Sequence, residues 1–241
     1  MSVGRFTKWR SLIDGQEVSA IPDRVVDNFE DVDSDPSGPY EDGQDITDYY
    51  NGDVDNFERT TSNVLEGGHA LAVITDGTTN QIYSMPGDGL PRYPKAGETV
   101  ICLIREPSGN PGQEVPLYIT DANGGIDGYG IRTTASGGRI GVNKWEDGDY
   151  TVLSATDVSL SEETWYWYEF ETPTTADNSM TTTAYEVSVE NGSPERGSEL
   201  ATETASDSDF IKDEGTEVGV GIEIVDSSNN EATLDWINIA E

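Results

Sequence analysis

Thr164-Trp165-Tyr166-Trp167-Tyr168-Glu169-Phe170 is the most regular stretch of this 241-residue chain. Successive side chains of a strand point to opposite faces. Trp165, Trp167 and Glu169 therefore share one face, and Tyr166, Tyr168 and Phe170 share the other. One face has to be core, so at most one is available to a ligand. The same period of two, rather than the three-to-four of a helix, runs outward from this segment. Upstream it marks 25–29, 70–74, 81–84, 99–105, 115–120, 129–133, 139–145 and 150–154, and downstream 181–189, 218–225 and 233–239. Turn signals such as Asp76-Gly77, Gly87-Asp88-Gly89, Asn123-Gly124-Gly125 and Asp147-Gly148 separate the runs. About a dozen short strands with no fixed-period repeat predict an all-β fold, a two-sheet antiparallel jelly-roll sandwich. The length suits one large domain.

Charge narrows the function. There are 13 Lys plus Arg against 47 Asp plus Glu, a net of −34. A surface this negative repels phosphate backbones and anionic lipid, because both are bound through clustered Lys and Arg. Neither nucleic acid nor a membrane is an expected partner. In dilute salt the carboxylates also repel one another, whereas at molar salt the Debye length falls to about 3 Å and the repulsion is screened. The composition thus reads as halophilic. Five Trp, eleven Tyr and five Phe argue against an acidic disordered chain.

The charge is unevenly laid out. Residues 1–20 hold Arg5, Lys8 and Arg10 against Asp14 and Glu17, a net of +1, which leaves −35 for residues 21–241. Residues 1–22 are expected to form a basic docking arm, with Arg5, Phe6, Lys8, Trp9 and Arg10 as its contact residues, ahead of one domain at 23–241. Ile21-Pro22-Asp23 would be the hinge. Cys102 is the only cysteine and sits in the apolar run Val100 to Ile104, so a small core residue is expected there; His69 is the only histidine, which leaves no His-rich zinc site. The N-terminus has no apolar signal region, and no 18-residue apolar run occurs anywhere.

Taken in succession, Val25 to Asp31, Val64 to Val73, Gly97 to Arg105, Gly128 to Arg132, Thr164 to Phe170 and Ala232 to Ile239 resemble the concanavalin A-like, laminin-G-like jelly roll. The leader, Ile21-Pro22-Asp23 and the jelly roll together are similar to virion surface proteins of haloarchaeal tailed viruses. That second resemblance implies assembly in the host cytoplasm, display on the virion surface, contact with other capsid or tail proteins, and a homo-oligomer that meets a host surface glycan or glycoprotein. The fold resemblance also implies a structural calcium clamped between the opening segment and the Asp of the closing strand, at Glu30, Asp31 and Asp235.

Glycoside hydrolysis on such a sandwich uses Glu-x-Asp-x-x-Glu on one strand. That pattern is absent, so a non-enzymatic protein without catalytic residues is expected. Sugar recognition needs flat aromatic faces and planar hydrogen-bonding groups. Arg105, Tyr118, Arg132 and Trp145 are candidates for one shared face, with Arg92 and Tyr93 on a rim loop. A virion surface protein that contacts glycans is the leading expectation. A haloarchaeal carbohydrate-binding module and a divergent glycoside hydrolase are the alternatives.

Overall fold

The structure, a computed structural model, describes residues 12–13, 16–17, 25–27, 29, 45–61, 63–65, 68–73, 79–106, 112–134, 138–190, 193–225 and 233–240. In chain order the strands are β1 (Leu12–Ile13), β2 (Gln16–Glu17), β3 (Val25–Asp27), β4 (Asn51–Gly52), β5 (Phe57–Thr60), β6 (Ala70–Val73), β7 (Asn80–Ser84), β8 (Thr99–Arg105) and β9 (Gly112–Asp121). They continue as β10 (Asp127–Thr134), β11 (Arg139–Glu146), β12 (Asp149–Asp157), β13 (Trp165–Glu171), β14 (Ser179–Glu190), β15 (Ser193–Ser206), β16 (Val220–Val225) and β17 (Thr233–Ile239).

Two antiparallel sheets face each other. One has seven strands in the order β12-β11-β10-β9-β16-β7-β4. The other has eight, β15-β14-β13-β8-β17-β6-β5, with β3 added by pairing to β17. The chain crosses repeatedly: β7 and β9 lie in one sheet and β8 in the other, and β15, β16 and β17 alternate in the same way. This is a jelly-roll sandwich. Within the expected arm, β1 pairs with β2 as a separate ribbon.

The strand that opened the sequence reading shows why the sheets pack. Tyr166, Tyr168 and Phe170 of β13 stand opposite Ile104, Cys102 and Val100 of β8. All six join one core cluster with Leu234, Ile237 and Ile239 of β17 and, from the seven-stranded sheet, Val115, Tyr129, Ile131, Ile140, Val142 and Ile222. Each large side chain fully buried there contributes about 1.5–3 kcal/mol. Cys102 is buried among them, and desolvation raises its thiol pKa. A polar tie crosses the core. Glu106 accepts from Thr133 of one sheet and from Tyr168 Oη of the other, the latter at 2.6 Å. A buried carboxyl without such donors would be costly.

Candidate functional site

Ile131 on β10 and Val142 on β11 point into the core, so their neighbours Arg132 and Asn143 point outward from the seven-stranded sheet. Cross-strand register sets large outward side chains against glycines: Arg132 faces Gly141, Asn143 faces Gly130, and Trp145 faces Gly128. A Cβ on Gly141 would meet the Ser154 carbonyl oxygen at 2.5 Å, and one on Gly130 would meet that of Val115 at 2.1 Å. Bare backbone at these positions lets the neighbouring strands approach this closely. Trp145 then packs with Ile119 and Ile126, and half-buried Tyr83 and Tyr150 close over them as a small apolar cluster outside the main core.

Two glutamates occupy the centre of this face. Glu114 of β9 stands opposite Arg132 on one side and opposite Glu223 of β16 on the other. Arg132 Nη1 lies 3.4 Å from Glu114 Oε1, and Asn143 Nδ2 donates to Glu114 Oε2 at 2.6 Å. Glu223 Oε2 accepts from Trp145 Nε1 at 2.6 Å and from Gln81 Nε2 at 2.7 Å. The Arg132 guanidinium carbon is also 5.5 Å from the Tyr150 ring centroid. Glu114, Asn143, Trp145 and Glu223 are buried, while the Arg132 side chain keeps 24% of its surface exposed. The face is therefore layered: a buried sheet of carboxyl, amide and indole groups holds one partly exposed arginine and its aromatic neighbours.

Burial dominates the electrostatics. Desolvation pushes the Glu114 carboxyl up to about 8; the Arg132 charge opposes the rise, Glu223 adds to it, and the Asn143 hydrogen bond lowers it. Glu223 is raised for the same reason, against the hydrogen bonds from Trp145 and Gln81. Below pH 8 Glu114 is mainly protonated and can donate as well as accept. Asn143 Oδ1 is buried without a hydrogen-bond partner among the described residues. Arg132 can offer further N–H groups outward in a planar fork that suits vicinal hydroxyls or a carboxylate.

Arg132 and Trp145, two of the residues expected to share a face, are brought together here. The other expected members are elsewhere. Tyr118 faces the core: a bulge in the β9–β10 pairing skips Leu117, so Leu117 and Tyr118 both turn inward. Its hydroxyl accepts from Lys212 N at 2.6 Å, and burial raises its pKa. Arg105 ends β8 in the opposite sheet, with Nη2 4.0 Å from Glu163 Oε1. Arg92 pairs with Glu98 at 2.5 Å, and Tyr93 is a core residue bonded to Ser84 Oγ at 2.9 Å, so that loop is tied down rather than presented. Trp145 is fully buried and cannot stack on a sugar; it acts through its Nε1. Glu114, Glu223, Gln81, Asn143 and Tyr150 are site residues that the sequence reading did not select. The available signal was a charged residue inside an apolar run, as in Ile222-Glu223-Ile224.

The expected arm contacts Arg5, Phe6, Lys8, Trp9 and Arg10, and the expected calcium ligands Glu30 and Asp31, lie outside the described residues. Asp235 is buried, and its Oδ2 accepts from Leu65 N at 2.7 Å. Among the described residues no group of three or more His, Cys, Asp or Glu could hold a metal ion. No described helix is long and apolar enough to cross a membrane.

No family model matches the chain, and no curated protein matches it closely. Solved structures do. Carbohydrate binding module CBM66 from Bacillus subtilis is similar at 15% identity over 76% of this chain and 93% of its own, with a TM-score of 0.49. The β-glucanase of Bacillus licheniformis is similar at 9% identity over 83% and 95%, TM-score 0.47. A legume lectin-like domain from Entamoeba histolytica is similar at 11% identity over 78% and 91%, TM-score 0.43. At such identities the likeness is one of fold alone.

Proposed function

We propose that this chain is a non-enzymatic carbohydrate-binding sandwich that engages glycan hydroxyls on the outer face of its seven-stranded sheet. The observation that supports it is Arg132, held partly exposed between Glu114 and the Tyr150 ring over a buried layer of hydrogen-bonding groups. Hydrolysis fits the geometry less well. Glycosidase carboxyls must reach the scissile oxygen and the anomeric carbon, whereas Glu114 and Glu223 are almost completely buried and held by Asn143, Trp145 and Gln81. The deciding experiment exposes the intact chain, in molar NaCl, to a glycan panel read for both retention and sugar release. Retention without release is expected; release would make it a glycosidase, and failure to retain any glycan would overturn carbohydrate binding.

We further propose that the protein sits on the surface of a haloarchaeal virus as a homo-oligomer, docked to capsid or tail proteins through residues 1–22. Its support is the charge layout, +1 in residues 1–20 against −35 in the remainder, since opposite charge guides encounter with an acidic assembly. A chain truncated to 23–241 should fold and fail to enter particles; incorporation at wild-type occupancy would sink the docking role.

A further inference from the structure

The eight-stranded sheet also has an organised outer face. Ile101 and Leu103 of β8 and Trp236 of β17 form a second apolar cluster, with Trp165 and Trp167 packed against it. The Trp167 and Trp236 rings meet edge to face, with centroids 5.2 Å apart and planes at 87°. A pocket of about 540 Å³ opens on this cluster, lined by Trp167, Glu169, Pro194, Arg196, Trp236 and Asn238 among others. Sites for small molecules typically enclose about 300–1,000 Å³.

The polar groups of the pocket fall into two sets. Glu169 is well bonded: it accepts from Arg196 Nη1 at 2.7 Å, Trp167 Nε1 at 3.1 Å and Tyr185 Oη at 3.3 Å. Arg196 also lies over the Tyr185 ring at 5.0 Å, so this wall is fixed and internally neutralised. Trp236 Nε1 and Asn238 Oδ1 are different. Both are buried with no hydrogen-bond partner among the described residues, and Trp236 as a whole is only 6% exposed. A buried donor and a buried acceptor left unmade are expensive, yet here they stand two residues apart on one strand at the lining of a pocket. Each atom has under 1 Å² of exposed surface, so a ligand reaches them only when side chains at the lining move aside.

We infer that this pocket takes one neutral hexose ring. One hydroxyl accepts from Trp236 Nε1–H, another donates to Asn238 Oδ1, and the C–H face of the ring lies against Trp167. Charge excludes an anionic ligand. The Glu169–Arg196 pair cancels, Glu195 at the lining is acidic, and a net charge of −34 opposes any anion. The lone donor and acceptor are themselves uncharged. This pocket is on the opposite sheet from Arg132 and stands whether or not that face binds sugar.

The five tryptophans provide separate reporters. The ¹⁵N-labelled full chain, in molar NaCl, is titrated with D-glucose, D-galactose, D-mannose and their methyl glycosides up to about 100 mM, which covers millimolar dissociation constants. The indole N–H resonance of Trp236, assigned by its loss in Trp236→Phe, should move downfield and saturate with at least one sugar. Asn238→Ala should weaken that response about tenfold, and Arg132→Ala should leave it unchanged. Binding of a methyl glycoside means the pocket accepts the terminal unit of a glycan; binding of the reducing hexose alone means it takes free sugar. No saturable movement of the Trp236 resonance with any of the six sugars overturns the inference, as does a response unaltered in Asn238→Ala. Movement confined to the Trp145 resonance would overturn it while leaving the Arg132 face standing.

Discussion

Glu114→Gln should flatten the pH dependence of stability. The carboxyl has no exposed surface, and burial lifts it from 4.5 to about 8 despite the neighbouring Arg132 charge. A pKa raised on folding means that the folded chain holds its proton where the unfolded chain has already released it. Below pH 4.5 both states are protonated and the group is neutral in the balance. Between 4.5 and 8 the unfolded state gains by ionising, so stability falls as pH rises, and above 8 the loss is complete. At about 1.4 kcal/mol per pH unit, the full loss is on the order of 5 kcal/mol at most. For a domain of this size 1 kcal/mol shifts Tm by about 2–4 °C, so the effect is on the order of 10 °C. Gln is of similar size, still accepts from Asn143, and does not titrate. Urea unfolding or thermal melts in molar NaCl at pH 4, 7 and 9 measure it: the variant should gain steadily on the wild type as pH rises. Parallel pH profiles for the two proteins would refute the reasoning, because the buried carboxyl would then be titrating normally.

Three further outcomes are expected. Gly141→Ala should destabilise the fold by about 1–3 kcal/mol, because the added Cβ lands 2.5 Å from the Ser154 carbonyl oxygen; an unchanged denaturation midpoint would show that the β11–β12 approach is not that close. Lowering NaCl from molar to about 0.1 M, where the Debye length lengthens to about 10 Å, should lower Tm and weaken the β circular dichroism signal, and a flat salt series would remove the halophilic reading. If Glu30, Asp31 and Asp235 hold calcium, adding EDTA in molar NaCl should lower Tm and added calcium should restore it; no change would remove calcium.

How far the sequence reached can be read from particular strands. β8 and β17 begin and end where alternation places them, and the two faces of β13 separate as expected, with Tyr166, Tyr168 and Phe170 inside and Trp165 and Trp167 outside. β15 was not legible. Ser193 to Ser206 contains Pro194, Gly197 and few apolar residues, since it is an edge strand with most side chains exposed. Pairing with β14 holds it, through cross-strand hydroxyl contacts such as Thr183 to Thr202 at 3.1 Å. Tyr118 was misplaced for another reason. A strict period of two carries it outward from Val115, and a single bulge reverses it. The site itself was half visible. Arg132 and Trp145 stand out as polar or amphipathic residues in apolar strands, but only the pairing of β9 with β16 sets Glu114 beside Glu223. Among 47 acidic residues the apolar flanks of Glu223 are a local signal, but nothing local ties it to Glu114.

The affinity of Arg132 variants for a glycan retained by the wild type is the most direct measurement of the central claim. Arg132→Lys keeps the charge near Glu114 and loses the planar fork, whereas Arg132→Ala loses both. Calorimetric titration in molar NaCl, on variants whose circular dichroism matches the wild type, should show affinity reduced about tenfold or more for Lys and further for Ala. Wild-type affinity in both folded variants would contradict glycan binding on this face.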